Sequence, residues 1–325
     1  MENLIIFFMA TKKEIREWLK QQGYNEEWFS KQLNCTGVDK WFMSNEENPP
    51  KEWEDLIDLI MNPREMNLFL YQSWNITKKI LEEWKLKSTD LANTNDPKEA
   101  VPQGMEDIWN NEKLSHRVLC FSTVCTSSDM WKCYADEHQG VCLVFRCKVV
   151  LRCEDELRYW QIIDCSEDDY HFMRRLYRVH YNGFGVYCNV TYGYGKEGSL
   201  SKEPICGGIP PNKFVELFIT KEERWSYENE FRMILPREKA TCTDKNGNLY
   251  YAHMMKYLVG LILGVNFSRS HDAERWYSCL KDSETTKKRQ ELKIVYAKKD
   301  PDNEIVNSEW DNKEFNITDF LPIYN

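Results

Sequence analysis

Residues 225–232, WSYENEFR, form the stretch that most constrains the fold and the chemistry of this chain. They place Glu228 and Glu230 two residues apart, and the apolar residues that follow, up to Leu235, have the composition of a strand. Residues two apart on a strand point to the same face, so we expect both carboxylates to face one cleft. Like charges held at this spacing are typical of a site that tunes acids. The alternative is a pair of solvated glutamates on the open face of a half-buried strand.

The overall composition is that of an ordinary globular protein. The chain has 325 residues, which is enough for two domains or for one large domain and one small one. Hydrophobic residues make up 42% and charged residues 29%, as in a soluble protein with a sizeable core. The formal net charge of −9 argues against nonspecific attraction to nucleic acid or to an anionic membrane surface.

The cysteines and the N-terminal residues indicate a reducing compartment. None of the 12 cysteines forms a Cys-x-x-Cys pair, and no histidine stands at zinc-site spacing from a cysteine pair, so we expect no metal. The apolar run at residues 4–10 is too short to span a bilayer, and it follows Glu2 rather than a basic region. We therefore expect a cytoplasmic protein with no membrane partner.

The first part of the chain has the pattern of short helices. Thr11 and Glu14 have the spacing of a capping box, and Ile15 and Trp18 begin a series of apolar residues at helical intervals. The order of elements in residues 11–62 resembles the helix-turn-helix domains of repressor-like proteins. Seven Lys and Arg against eleven Asp and Glu give this segment a net charge of −4, which favours a protein-docking role and leaves DNA binding open.

The remainder of the chain alternates strand and helix signals irregularly, which predicts an α+β fold. We expect two domains, a helix-turn-helix-like module at residues 1–62 and an α+β domain at residues 63–325. The predicted strands are at residues 68–71, 86–91, 117–123, 141–149, 258–265 and 292–297, and the predicted helices at 76–84 and 154–178. The buried face of the first helix is expected to carry Ile76, Ile80, Leu81 and Trp84.

A second informative stretch lies at residues 130–145. If residues 131–138 are helical, Trp131, Tyr134 and His138 share one face of the helix, which would stop before Gly140. These residues are candidates for a ligand site. The alternative is a core helix whose histidine caps its own C-terminus.

Three separated blocks of residues give the chain a specific resemblance. The first block is Leu70-Tyr71 with the helix at 76–84, Leu86-Lys87-Ser88 and Asn95-Asp96-Pro97. The second is Cys120-Phe121-Ser122 with Met130-Trp131, Tyr134-Ala135, His138 and residues 140–145. The third is Lys221, Trp225, Tyr227-Glu228, Glu230 and Arg232 with residues 262–264. In this order they resemble the prokaryotic family known as domain of unknown function 2971 (DUF2971). The resemblance covers about residues 66–300.

The order of these blocks is also similar to that of ADP-ribosyltransferase-like folds, and this resemblance implies a mixed-sheet domain that consumes NAD. It implies that Tyr71 contacts NAD from the first strand, and that Ser88 and Thr89 lie on the second. It further implies that Glu230 is catalytic, with Glu228 beside it. The cofactor is then NAD as a substrate, with no metal.

Further roles follow from the chemistry of NAD. Aromatic faces such as Tyr71 and Trp131 are expected to stack on nicotinamide or adenine. The pyrophosphate is expected to meet Lys221 or Arg232, although Arg232 has the alternative of a salt bridge to Glu228 or Glu230. Tyr134 and His138 complete the predicted contacts. Finally, Asn95 and Asp96 are either ligand contacts or turn residues whose Asp side chain bonds its own backbone.

The resemblance therefore implies an enzyme that transfers ADP-ribose to a macromolecule, either protein or nucleic acid, or that hydrolyses NAD, as a toxin or antiphage effector. Glu230→Gln is expected to abolish activity with little loss of folding. Two alternatives stay open. One is a non-enzymatic DNA-binding or signalling protein with a ligand-sensing C-terminal domain. The other is a metal-dependent nuclease that uses Asp96, Glu228 and Glu230.

Overall fold

A computed structural model describes residues 63–91, 116–154, 157–163, 171–181, 215, 218–267, 292–299 and 305–306. The helical module predicted at residues 1–62 and the pair Asn95 and Asp96 lie outside these residues, so their roles stay predictions. The described residues fall into two compact units, the smaller of which holds residues 63–66, 147–154 and 157–163.

Strands dominate the secondary structure. The described α-helices are α1 (Trp74–Glu83) and α2 (Ser128–Tyr134). The strands are β1 (Arg64–Gln72), β2 (Leu86–Lys87), β3 (His116–Ser122), β4 (Val141–Glu154), β5 (Leu157–Ile162), β6 (Arg175–Arg178), β7 (His180–Tyr181), β8 (Thr220–Lys221), β9 (Glu230–Pro236), β10 (Cys242–Thr243), β11 (Leu249–Tyr251), β12 (Leu258–Leu263), β13 (Lys293–Tyr296), β14 (Lys298–Lys299) and β15 (Ile305–Val306). This content confirms a mixed, sheet-rich α+β fold.

The larger unit is built on one mixed sheet. Its strands lie in the order β13, β12, β4, β1, β3, β9 and β6. The β12–β13 pair is parallel, whereas β4–β12, β1–β3, β3–β9 and β6–β9 are antiparallel. In the β3–β9 ladder Ser122 lies opposite Glu230 and Cys120 lies opposite Arg232, so four polar side chains are grouped at one end of the paired strands.

In the smaller unit, the second half of β4 pairs antiparallel with β5, from Val149 opposite Ile162 onward. The sequence prediction of a helix at residues 154–178 is wrong, because this region contains β5, a 3-10 helix at His171–Arg174 and β6. The many charged residues in this region suggested a helix, but Tyr159 and Ile162 are buried in the hairpin that β4 and β5 form. Tertiary pairing therefore overrides the local pattern.

The two helices begin at serine caps. Ser73 accepts a hydrogen bond from the Ile76 backbone N–H at 3.4 Å, and Ser127 accepts one from the Met130 N–H at 3.3 Å. On α1 the buried residues are Trp74, Thr77, Ile80 and Leu81. Ile76 was predicted to be buried but is 47% exposed, because the buried face is centred on Trp74, Thr77 and Leu81 and leaves position 76 at its edge.

The core beneath the sheet is centred on Trp131, which is completely buried in the middle of the short helix α2. Its indole N–H donates to the Cys125 carbonyl at 2.9 Å, and its ring meets the Tyr71 ring edge-on at 5.2 Å between centroids. The Tyr71 hydroxyl in turn donates to the Val124 carbonyl at 2.7 Å. This packing fixes α2 against β1.

None of the helices in the described part of the chain has the length and apolar character needed to cross a lipid bilayer.

Candidate active site

A cleft of about 200 Å³ in the larger unit brings several of the predicted site residues together. It is lined by β1, β3 and β9, by α2 and by the segment around β2. The predicted site residues that line it are Tyr71, Thr89, Tyr134, Lys221, Glu228, Glu230 and Arg232.

The two glutamates reach the cleft by a route different from the predicted one. Glu228 ends a 3-10 helix, Glu223–Glu228, whereas Glu230 begins β9. Between them Asn229 adopts a left-handed conformation with φ 43°. The expectation that both glutamates lie on one strand is therefore wrong. The turn nevertheless brings both carboxylates to the same ammonium group, that of Lys221.

The carboxylate of Glu230 is held mainly by Arg232. The guanidinium donates from Nε to Oε1 at 2.8 Å and from Nη2 to Oε2 at 2.7 Å, a bidentate pair between two residues on one face of β9. Its Nη1 donates to the Phe218 carbonyl at 2.7 Å, and the side chain is only 1% exposed. Cys120 also acts to lower the pKa of the Glu230 carboxyl.

The carboxylate of Glu228 has a different set of partners. Its Oε1 accepts a hydrogen bond from the Tyr134 hydroxyl, and its Oε2 accepts one from Lys221 Nζ at 2.6 Å. The same Nζ lies 3.5 Å from Glu230 Oε2 and 5.0 Å from the centre of the Trp225 ring. Lys221 thus links the two glutamates.

The two carboxyl groups differ in their ionisation. Both are buried, with exposures of 4% for Glu228 and 5% for Glu230. Burial acts to raise the pKa of Glu230, but Arg232 and Lys221 outweigh it and lower this pKa to about 2. Burial and the neighbouring Glu230 raise the pKa of Glu228 above its ordinary value, against the opposing effect of Lys221. The cleft therefore contains one firmly ionised carboxylate and one that takes up a proton more readily.

Three predicted contacts lie away from the cleft lining. Ser88 is buried and donates from Oγ to the Leu249 carbonyl at 3.0 Å. Trp131 is a core residue, as described above, rather than a stacking surface. His138 follows the end of α2 at Tyr134 and has φ 67°, so it does not share a helical face with Trp131 and Tyr134. The helix stops early because residues 136–138 all adopt positive φ angles, which end its hydrogen-bond pattern.

Lys221 and Arg232 have contacts different from the pyrophosphate contact that the sequence analysis considered. Either Lys221 or Arg232 was expected to meet a pyrophosphate; in the structure both bind the glutamates, which for Arg232 is the salt-bridge alternative. The cleft is also lined by Lys87, an exposed residue of β2 that the sequence analysis did not select. Lys87 belongs to the block Leu86-Lys87-Ser88, but its residue type alone does not distinguish it from other surface lysines.

Two more residues of β3 were missed as members of the site. Cys120 and Ser122 line the cleft and lie opposite Arg232 and Glu230 in the ladder. Their spacing of two within an apolar strand was the available signal, since it places both side chains on one face. Among the residues that the structure describes, no group of three or more His, Cys, Asp or Glu side chains is arranged to hold a metal ion.

Comparison with known proteins supports part of the resemblance. The model of a family described as "Protein of unknown function (DUF2971)" matches residues 130–233. This range contains Tyr134, Lys221, Glu228, Glu230 and Arg232, so the charged end of the cleft falls within the matched segment. No curated protein and no solved structure shows a significant match to the chain.

Proposed function

We propose that the cleft is the active site of an NAD-consuming enzyme, which breaks the bond between nicotinamide and ribose and passes ADP-ribose to a macromolecule or to water. The observation that supports this most is the pair of buried glutamates with opposite pKa shifts at one end of the cleft. The ADP-ribosyltransferase-like order of the sequence blocks is a fold-level analogy and supports the same class. A role as a toxin or antiphage effector would follow from depletion of NAD or modification of a target.

The chemistry needs a fixed negative charge. Cleavage of the nicotinamide–ribose bond passes through an oxocarbenium-like state, as in glycoside hydrolysis. Glu230 is suited to stabilise the developing positive charge, because it stays ionised and Arg232 fixes its orientation. A carboxylate that needs no reorganisation during the reaction gives the largest electrostatic benefit.

The same chemistry needs a base for the incoming nucleophile. Glu228 is suited to this role, because its raised pKa lies closer to neutral pH, where proton transfer is most efficient. Tyr134 and Lys221 hold one oxygen each and so orient the carboxylate. In this scheme Glu230 supplies charge and Glu228 moves the proton.

The size of the cleft limits how much of the ligand it encloses. Its volume of about 200 Å³ is below the range of roughly 300–1,000 Å³ that encloses a drug-sized ligand. We therefore place the nicotinamide and its ribose in the cleft. The pyrophosphate would lie towards Lys87, because among the described lining residues this exposed cation is the one that does not hold a glutamate in place.

The test is product analysis with the purified 325-residue chain and NAD, with and without cell lysate. Release of nicotinamide with free ADP-ribose would indicate hydrolysis, and an ADP-ribose conjugate formed only with lysate would indicate transfer. No nicotinamide release, together with no thermal shift on adding NAD, would overturn the proposal. A salt-dependent gel shift or a nuclease activity sensitive to EDTA would then support the sensing or nuclease alternative.

A further inference from the structure

The ammonium group of Lys221 occupies the position between the two glutamates. Its Nζ lies 2.6 Å from Glu228 Oε2 and 3.5 Å from Glu230 Oε2, and the Trp225 ring covers it at 5.0 Å. The side chain is buried. Two carboxylates and an aromatic face are the surroundings that proteins use to bind a cation, and here the chain itself supplies that cation.

The charges at this end of the cleft cancel. Glu228 and Glu230 contribute two negative charges, and Lys221 and Arg232 contribute two positive ones in direct contact with them. Among the described lining residues the remaining charged group is Lys87, which adds one more positive charge. A second cation entering the cleft would therefore meet positive groups without finding an unpaired carboxylate.

We infer that the acceptor of the proposed reaction is an uncharged O–H group, either water or a hydroxyl, and not a guanidinium or an ammonium. This inference rests on the proposed function. A guanidinium acceptor would have to displace Lys221 or lie beside it, and either arrangement is opposed by like charge. An uncharged hydroxyl can approach Glu228 without disturbing the contacts of Lys221.

The reaction balances with these groups alone. The C1′–N bond of NAD breaks, and its electron pair stays on the ring nitrogen, so nicotinamide leaves as a neutral molecule. The acceptor oxygen forms the new bond to C1′, and its proton passes to the ionised carboxylate of Glu228 and then to solvent. With water as acceptor the products are ADP-ribose, nicotinamide and one proton.

The first experiment offers the wild-type protein NAD together with either agmatine, a small guanidine, or methanol, a small alcohol. We expect an O-methyl ADP-ribose product from methanol and no agmatine adduct. An agmatine adduct formed by the wild-type protein would overturn the inference.

The second experiment does not depend on turnover. Agmatine binding is measured by calorimetry for wild type, Lys221→Met and Lys221→Arg, with the exposed Lys245→Met as a matched control. We expect Lys221→Met alone to bind agmatine at least tenfold more tightly, because this variant leaves an excess negative charge between Glu228 and Glu230. Equal binding by all four proteins would overturn the inference.

The two experiments also separate the inference from the function on which it rests. If no form of the protein consumes NAD but Lys221→Met alone gains agmatine binding, the proposed function fails. The conclusion that Lys221 neutralises the two glutamates and excludes a second cation is then still supported. If Lys221→Met does not fold, the acceptor assay on the wild-type protein decides.

Discussion

Arg232 binds both oxygens of the Glu230 carboxylate, at 2.8 and 2.7 Å, from a position two residues along the same strand. Glu228, whose carboxylate belongs to the same charged cluster, is bound instead by Tyr134 and Lys221. Because their partners differ, the two neighbouring glutamates have pKa values that are shifted in opposite directions. We therefore expect the two glutamates to have different chemical roles, and their substitution by glutamine to reduce stability by different amounts.

The first prediction concerns stability. Glu230→Gln is expected to lose roughly 3 kcal/mol, because it leaves the buried guanidinium of Arg232 without its carboxylate. Glu228→Gln is expected to lose only about 1 kcal/mol, since burial and the neighbouring Glu230 already oppose the ionised form of Glu228 and a neutral amide avoids that cost. Urea unfolding at pH 7 measures both. This prediction differs from the expectation from sequence that Glu230→Gln folds almost normally, and equal losses in the two variants would contradict the account.

The second prediction concerns acid. The folded-state pKa of Glu230 lies at about 2, below its ordinary 4.5, so its stabilising contribution is present above pH 4.5 and is lost as the pH falls towards 2. At about 1.4 kcal/mol per pH unit this contribution is on the order of 3 kcal/mol. The stability difference between wild type and Glu230→Gln should therefore shrink between pH 4.5 and pH 2. A difference that stays constant over this range would show that Glu230 is not held as an ion.

Glu228 provides the control, because its contribution to stability is expected to change with pH in the opposite direction to that of Glu230. Its folded-state pKa is raised, so its ionised form at neutral pH costs stability, and protonation relieves that cost. Wild type should therefore gain stability relative to Glu228→Gln as the pH falls from neutral to about 4.5, the ordinary pKa of the group. A loss over this range would reverse the assignment of the two glutamates.

The third prediction concerns Tyr134. Its hydroxyl donates to Glu228 and lowers the pKa of that carboxyl, so Tyr134→Phe should raise the pKa further. The acid limb of the pH–rate profile for nicotinamide release is expected to move to higher pH. Tyr250→Phe, which removes a hydroxyl bonded to Asp244 instead, serves as the matched control and should leave the profile in place. An unchanged profile in Tyr134→Phe would mean that Glu228 does not set that limb.

The fourth prediction distinguishes core from site. Trp131→Phe should lose roughly 2 kcal/mol of stability, because it leaves a cavity and removes the donor to the Cys125 carbonyl. The turnover of the folded fraction should not change, since Trp131 does not line the cleft. Thermal unfolding and NAD kinetics on the same samples test both parts. A raised KM for NAD with normal stability would restore the stacking role.

The sequence was sufficient to predict the parts of the site that are encoded locally. Strands at residues 68–71, 117–123 and 141–149 follow from runs of apolar residues, and β1, β3 and β4 confirm them. The two glutamates were expected to share a cleft because of their spacing, and they do. The local path was missed, because the strand pattern that follows Glu230 was extended back over Asn229, although Asn is one of the few residues that tolerate the left-handed conformation found there.

The contacts of Tyr134 and Lys221 with the glutamates could not be predicted for a different reason, whereas the Arg232–Glu230 pair was already one of the sequence alternatives. Tyr134 lies 94 residues before Glu228 in the chain, and only the folded sheet brings α2 to the start of β9. Likewise, the role of Lys221 depends on where β8 ends and on the burial of both carboxylates, neither of which the residue pattern encodes. Contacts of this kind depend on tertiary packing, whereas propensities describe neighbours in sequence.

The most direct test of the central claim is nicotinamide release from NAD by wild type, Glu230→Gln and the exposed control Lys245→Met, each corrected for its folded fraction. The account predicts release by wild type and Lys245→Met, with a loss of roughly 100-fold or more in Glu230→Gln, because the fixed charge at the ribose is gone. Full turnover by folded Glu230→Gln would contradict the assignment of this cleft as the site of NAD cleavage.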